Sequence, residues 1–134
     1  MTTAVTIPVS TGELIDKITI LEIKQEQLAD PEKLKNILVE LRLLSEVRLA
    51  LGIDVKPKAA EIAFLERELK AVNQRIWDAE DEIRAFERAK DFGDAFVAVA
   101  RSIYQLNDAR ASAKKDINLL SGSEIVEEKG YEPY

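Results

Sequence analysis

Asn73, Trp77, Glu80, Arg84 and Glu87 recur at steps of 4, 3, 4 and 3. That spacing places an amide, two carboxylates, a guanidinium and the chain's single Trp on one stripe of a helix. Tyr104, Asn107, Ala111, Lys114 and Asn118 form a second such row. Near the N-terminus Glu13, Asp16, Lys17 and Lys24 share a narrow arc. If two long helices fold back on each other about Asp91-Phe92, Trp77 comes level with Leu106 and Asn107, Asn73 with Arg110, and Glu80 with Ile103 and Tyr104.

Three kinds of behaviour fit these residue types. The plainest is a solvated flank, since the neighbours of a helical seam are usually charged and pairs such as Glu80–Arg84 or Glu13–Lys17 contribute a few tenths of a kcal/mol. The second is a site for a small anion such as a nucleotide or sugar phosphate. Arg84, Arg101, Arg110 and Lys114 would hold the charge, with Trp77 or Tyr104 stacking. The third is a Mg²⁺ hydrolase using Glu13, Asp16, Glu80 and Asp108, as paired Glu-x-x-Glu and Glu-x-x-Asp motifs do in all-α nucleotide pyrophosphohydrolases. The full pair of motifs is missing, so no metal ligand is assigned. Gly12, ahead of the first helix, would let an anion approach that helix end, although one Gly is more often a turn residue. Lys114-Lys115 is a small basic patch expected to pair with Glu.

One residue does not fit a solvated flank. Arg110 occupies a core position of its helix, where an unpaired charge costs several kcal/mol, so it must meet a carboxylate such as Glu80 or Asp16. A buried charge can also fix register without any ligand. The candidate ligand-binding set is Asp16, Lys17, Trp77, Glu80, Arg84, Arg101, Tyr104, Asn107, Asp108, Arg110 and Lys114. No catalytic residue and no cofactor are assigned.

The elements that must position these residues follow from the apolar spacing. Ile62, Leu65, Leu69, Val72, Ile76, Ala79, Ile83 and Phe86 step by 3 and 4 without a break, which marks a helix over 58–90 with a seam for a partner helix. No Gly or Pro interrupts it, and a helix of this length is about 50 Å long. Phe96, Val99, Ile103, Leu106, Arg110, Ala113, Ile117 and Leu120 repeat the pattern over 94–120. The link Lys90-Asp91-Phe92-Gly93 is short enough to make the two helices antiparallel neighbours, with Asp94 or Asp91 as N-cap.

Two shorter helices precede them. Ser10 with Glu13 three residues on reads as a capping box for a helix over 11–29, buried through Leu14, Ile15, Ile18, Leu21 and Leu28. Asp30-Pro31 caps and starts a second helix over 32–51, and Gly52 ends it. Leu34, Ile37, Leu41, Leu44 and Leu51 face inward, with Arg48 snorkelling from the same stripe. Leu38, Val39, Leu43, Val47 and Leu49 make it apolar over much of its circumference, so it should be covered on more than one side. Residues 2–9 read as an extended lead-in along the bundle, and 123–134 as an acidic tail.

The fold expected is therefore an all-α antiparallel helical bundle built on a long coiled-coil hairpin, one domain over 1–134. The surplus apolar stripe predicts a homodimer, with a further protein partner as an option. Nineteen basic against twenty-five acidic residues give a net charge of −6, which argues against nucleic acid as a partner. There is no Cys and no His, which removes disulfides, thiolate chemistry, His-ligated metals and Ser/His/Asp triads. Neither a signal peptide nor a membrane-spanning stretch is read, and the default is a soluble cytoplasmic protein. Its first-ranked function is an interaction or assembly module.

Ser10–Lys24, Trp77–Arg84, Asp91–Gly93, Ala100–Arg110 and Val126–Tyr131, taken together, resemble a family of small bacterial and phage-borne helical proteins known only as a domain of unknown function. The resemblance covers nearly the whole chain, with the second helix and 52–70 the freest part. It implies recurring polar identities at Glu13, Asp16, Lys17, Lys24, Trp77, Glu80, Arg84, Arg101, Tyr104, Asn107, Asp108, Arg110, Lys114, Glu127, Lys129 and Tyr131. Gly130 stands where that pattern calls for Ser or a similar residue. The resemblance implies no reaction.

Overall fold

The computed structural model describes residues 3–134. Four α-helices carry the chain: α1 (Thr11–Gln27), α2 (Pro31–Leu51), α3 (Ala59–Ala89) and α4 (Asp94–Ser121), with one 3-10 turn (Ile53–Val55) between α2 and α3. No strand forms among the described residues. The longest pairing is α3 against α4, and α1 lies against α2, α3 and α4. None of the sixteen seam positions is solvent-exposed: Ile62, Leu69, Ala79, Leu106 and Ile117 are buried and the remainder half-buried. Their alternating 3, 4 spacing keeps one stripe facing the partner along the helices, which is why the apolar pattern alone located the pair.

The core lies where α1 crosses the pair near its α2 end. Leu14, Ile15 and Ile18 of α1 meet Ile53, Ile62, Leu69 and Ile117, with Leu41 and Leu44 of α2 packed against them. At the far end, Phe92 and Phe86 each meet Phe96 edge-on, with ring centroids 5.2 and 6.4 Å apart. These contacts pin the α3–α4 turn, and Lys90 closes α3 with a left-handed φ of 53°.

Most helix ends follow the expected chemistry, with corrections at two. Ser10 caps α1 by accepting the Glu13 N–H, but the Glu13 side chain does not reach back; it holds Lys114 and Lys17 instead. Asp30 caps α2 through the Glu32 N–H, and Gly52 ends it at φ 66°, a conformation that suits Gly. Neither Asp94 nor Asp91 is the N-cap of α4. Gly93 occupies that position, Asp94 is the first helical residue, and Asp91 accepts the Gly93 N–H.

The greatest departure concerns α2. Ten of its 21 residues are Leu, Ile or Val, yet only Ile37 is buried. Leu51, expected inside, is 50% exposed. Val39, Leu43 and Val47 run ahead of it as an i, i+4 row and are also open to solvent, as are Leu38 and Leu49. Within the chain α2 packs on α1 and on the 3-10 turn, which covers one side of the helix and leaves the rest bare. Arg48 does not snorkel: its guanidinium grips Glu66 of α3 through two 2.8 Å bonds and Asp54 through a third. The lead-in is also unlike the expectation. Val5 and Ile7 are 85% and 66% exposed, so residues 3–9 do not pack along the bundle; Thr2, the remaining residue of that stretch, lies outside the described residues. Among the described residues no helix is long and apolar enough to cross a membrane.

Candidate functional site

The site is built around Asp16. The second turn of α1 faces both long helices, so the Asp16 carboxylate is carried into the groove between them and its side chain is 1% exposed. Burial of a carboxylate requires partners, and two side chains, Asn73 and Arg110, supply them. Asn73 of α3 donates to Asp16 Oδ1 at 2.8 Å and to Thr19 Oγ1 at 3.0 Å. Thr19 donates to the Asp16 carbonyl at 2.7 Å. From α4, Arg110 donates through Nε at 3.0 and 3.1 Å and through Nη2 to Oδ2. The Arg110 guanidinium is held above its ordinary value by the Asp16 hydrogen bonds, so it stays charged. No buried side-chain nitrogen or oxygen among the described residues lacks a partner. Of the two carboxylates expected for Arg110, Asp16 takes the role; Glu80 pairs with Arg84 on its own helix.

Beside this network a second set ties α1 to α4 and the tail. Lys114 pairs with Glu13 and lies 4.0 Å from Asp16. The Gly12 N–H donates to Asn118 Oδ1 at 2.6 Å. The anion-accepting helix end suggested by Gly12 is therefore occupied by the protein's own amide. Asn118 and the fully buried Ser10 both donate to Glu127. Further along the tail Lys129 pairs with Asp108, Lys115 with Glu128, and Tyr134 meets Tyr104 edge-on at 5.1 Å.

Two cavities meet at Arg110. One, of about 400 Å³, is lined by Ile20, Ile23, Asn73, Ile76, Trp77, Glu80, Asp81, Arg84 and Arg110. The other, of about 460 Å³, lies between α4 and the tail and includes Tyr104, Asn107, Asp108, Arg110, Lys114, Lys129 and Tyr131. The expected stripe is thus divided. Trp77, Glu80 and Arg84 fall on one side, and Tyr104, Asn107, Asp108 and Lys114 on the other. Asp16 lies beneath both as the anchor of Arg110. Lys17 pairs with Glu13 at the surface and Arg101 is exposed; neither lines either cavity. Spacing alone missed Lys129 and Tyr131, because the tail has no periodicity from which to place it; the resemblance had marked both.

The four carboxylates considered for a metal have other partners. Glu13, Asp16, Glu80 and Asp108 are each paired with a protein cation. No three His, Cys, Asp or Glu side chains among the described residues are grouped to hold a metal ion.

Docking of the tail should depend on acid. Burial alone would push the Glu127 carboxyl up, but the hydrogen bond from Ser10, its own backbone N–H, Lys114 and Asn118 bring it on balance below its ordinary value of 4.5. Lys129 and then Tyr134 lower Asp108 from 3.8. A carboxylate depressed in the folded state adds stability that is present above its unfolded value and is lost as pH falls through the folded one. The tail should therefore stay docked from neutral pH to about 4.5 and release below the ordinary carboxylate range. Amide NMR shifts of residues 126–134 check this; shifts that stay constant throughout the acid range would contradict it.

Four packed helices with a salt-linked polar centre define this molecule as a small all-α bundle protein. Residues 5–134 match the model of a family of unknown function, DUF6165, and the chain belongs to that family. No curated protein and no solved structure matches it.

Proposed function

We propose that this protein is an assembly module that works as a symmetric homodimer through the outer face of α2. The observation that carries this reading is the row Val39, Leu43, Val47 and Leu51, between 37% and 50% exposed on a helix that buries one residue. Monomeric proteins rarely present so continuous an apolar surface. An i, i+4 row is also the ridge that inserts into a groove of the same kind on another helix.

The row is self-complementary. A two-fold axis near Leu43 sets Leu43 against its own copy and Val39 against Val47 of the second chain. The flanking Arg42 then lies on the same edge as Glu46 of the second chain, offset by about 3 Å along the helix axis, and Glu46 lies likewise beside its Arg42. Within one chain these two residues form only an exposed pair at 3.3 Å, which contributes little by itself. Covering α2 in this way would also shield the ends of the core that Leu41 and Leu44 leave half-open.

Light scattering at tens of micromolar should return twice the chain mass of 15.0 kDa. Leu43→Glu should halve that mass while leaving the helical circular dichroism intact. Val97→Glu, on the exposed surface of α4, should leave the dimer unchanged. A monomeric parent protein would rule the proposal out.

A further inference from the structure

We infer that the cavity between α4 and the tail is a binding site for a phosphorylated sugar. It is separate from the α2 face and does not depend on the dimer.

The charge of its lining comes first. Arg110, Lys114 and Lys129 face one carboxylate, Asp108, in a chain whose net charge is −6. The carboxylates that hold Arg110 and Lys114, namely Asp16 and Glu13, lie behind them and form no part of the lining. Both cations are thus fixed from the rear with donors to spare. Arg110 engages Asp16 through Nε and Nη2, and its Nη1 makes no hydrogen bond to a described residue. Lys114 gives one hydrogen bond, to Glu13, of the three that an ammonium can donate. Two cations immobilised side by side suit a phosphate, because ordering them costs nothing further on binding.

The remaining lining suits a polyhydroxylated ring rather than a bare anion. Asn107 donates its Nδ2 to the Ile103 carbonyl, and its Oδ1 remains open to accept from a hydroxyl. Asp108 offers a second acceptor. Tyr104 and Tyr131 supply flat apolar faces. Past the Lys129–Asp108 bridge the cavity adjoins another of about 400 Å³, lined by Tyr104, Tyr131 and Tyr134 among others. The first space falls within the usual size of small-molecule sites. The second would admit the nucleoside of a nucleotide-linked sugar.

Thermal shift and titration calorimetry with glucose 1-phosphate, glucose 6-phosphate, UDP-glucose, inorganic phosphate and glucose test the proposal. At least one of the three phosphorylated sugars should bind at least tenfold more tightly than inorganic phosphate, and glucose should not bind. Tighter binding of UDP-glucose would identify a nucleotide-linked source, and tighter binding of a monophosphate a free one. Lys129→Gln, a surface change outside the core, and Lys114→Gln should each weaken that binding at least tenfold. No binding by any phosphorylated sugar at about 10 mM, where even a 1 mM Kd would be near saturation, overturns the inference. So does binding that both variants leave unchanged, or inorganic phosphate binding as tightly as the sugars.

Discussion

Arg110→Met should destabilise the protein by about 3–5 kcal/mol, the usual cost of leaving a buried charge without its partner. Asp16 is the group left behind. Its side chain is 1% exposed, and without the guanidinium it keeps one hydrogen bond from Asn73 and a Lys114 ammonium 4.0 Å away. Chemical denaturation followed by circular dichroism measures the loss, which corresponds to a fall in Tm of roughly 10–20 °C for a chain of this size. The double variant Asp16→Asn/Arg110→Met separates this account from simple loss of packing. With both charges gone the buried ion no longer needs compensation, and much of the lost stability should return. If the double variant is as unstable as the sum of the two single ones, the pair is not coupled and the account fails. A second reading of the same cycle concerns register. Asp16, Asn73 and Arg110 come from three different helices, so a satisfied network is available only when α1, α3 and α4 are aligned as they are here.

How far the sequence revealed this arrangement differs from element to element. Alternating steps of 3 and 4 located the α3–α4 seam, because apolar burial along a helix has to follow its period. The same spacing made Arg110 conspicuous, since a charge at a seam position demands a partner. It did not choose between Glu80 and Asp16, and the reason is geometric. Glu80 lies on a helix whose register with Arg110 can be counted from the turn, whereas Asp16 arrives on α1, whose docking angle depends on packing and leaves no periodic trace. Leu51 was misplaced for a related reason. Composition tells how apolar a helix is, not whether its own chain or another covers it. The division of the polar stripe into two cavities was equally hidden, because it depends on where an aperiodic tail crosses α4. Lys129 and Tyr131 enter the second cavity from that tail.

Gly12→Ala should cost about 1–3 kcal/mol, the range for overpacking a close-packed contact, and the upper end is expected. In most helices this substitution stabilises, because Ala has the better helix propensity by about 1 kcal/mol. Here the sign reverses. A Cβ at position 12 would stand 2.4 Å from the Lys114 carbonyl oxygen, 2.8 Å from Asn118 Oδ1 and 3.0 Å from the Lys114 carbonyl carbon. Two of those atoms are backbone of α4, so rotation of a side chain cannot relieve the contact; α1 or α4 has to move. The 2.6 Å hydrogen bond from Gly12 N–H to Asn118 would stretch with that movement, and Asn118 also holds Glu127 of the tail. One methyl group should therefore loosen three things together: the start of α1, the Glu13–Lys114 pair and the docked tail. Denaturation gives the first measure, and amide exchange at residues 10–14, 114–118 and 126–129 gives the second. A variant as stable as the parent, with exchange unchanged at all three segments, would show that the two helices approach less closely than this. A destabilised variant whose tail remains protected would instead confine the role of Gly12 to the α1–α4 contact. The same variant bears on the sugar-phosphate site, because Lys114 reaches that cavity from the turn of α4 that Gly12 packs against. Displacing the turn should weaken binding even though the methyl group lies outside the cavity lining.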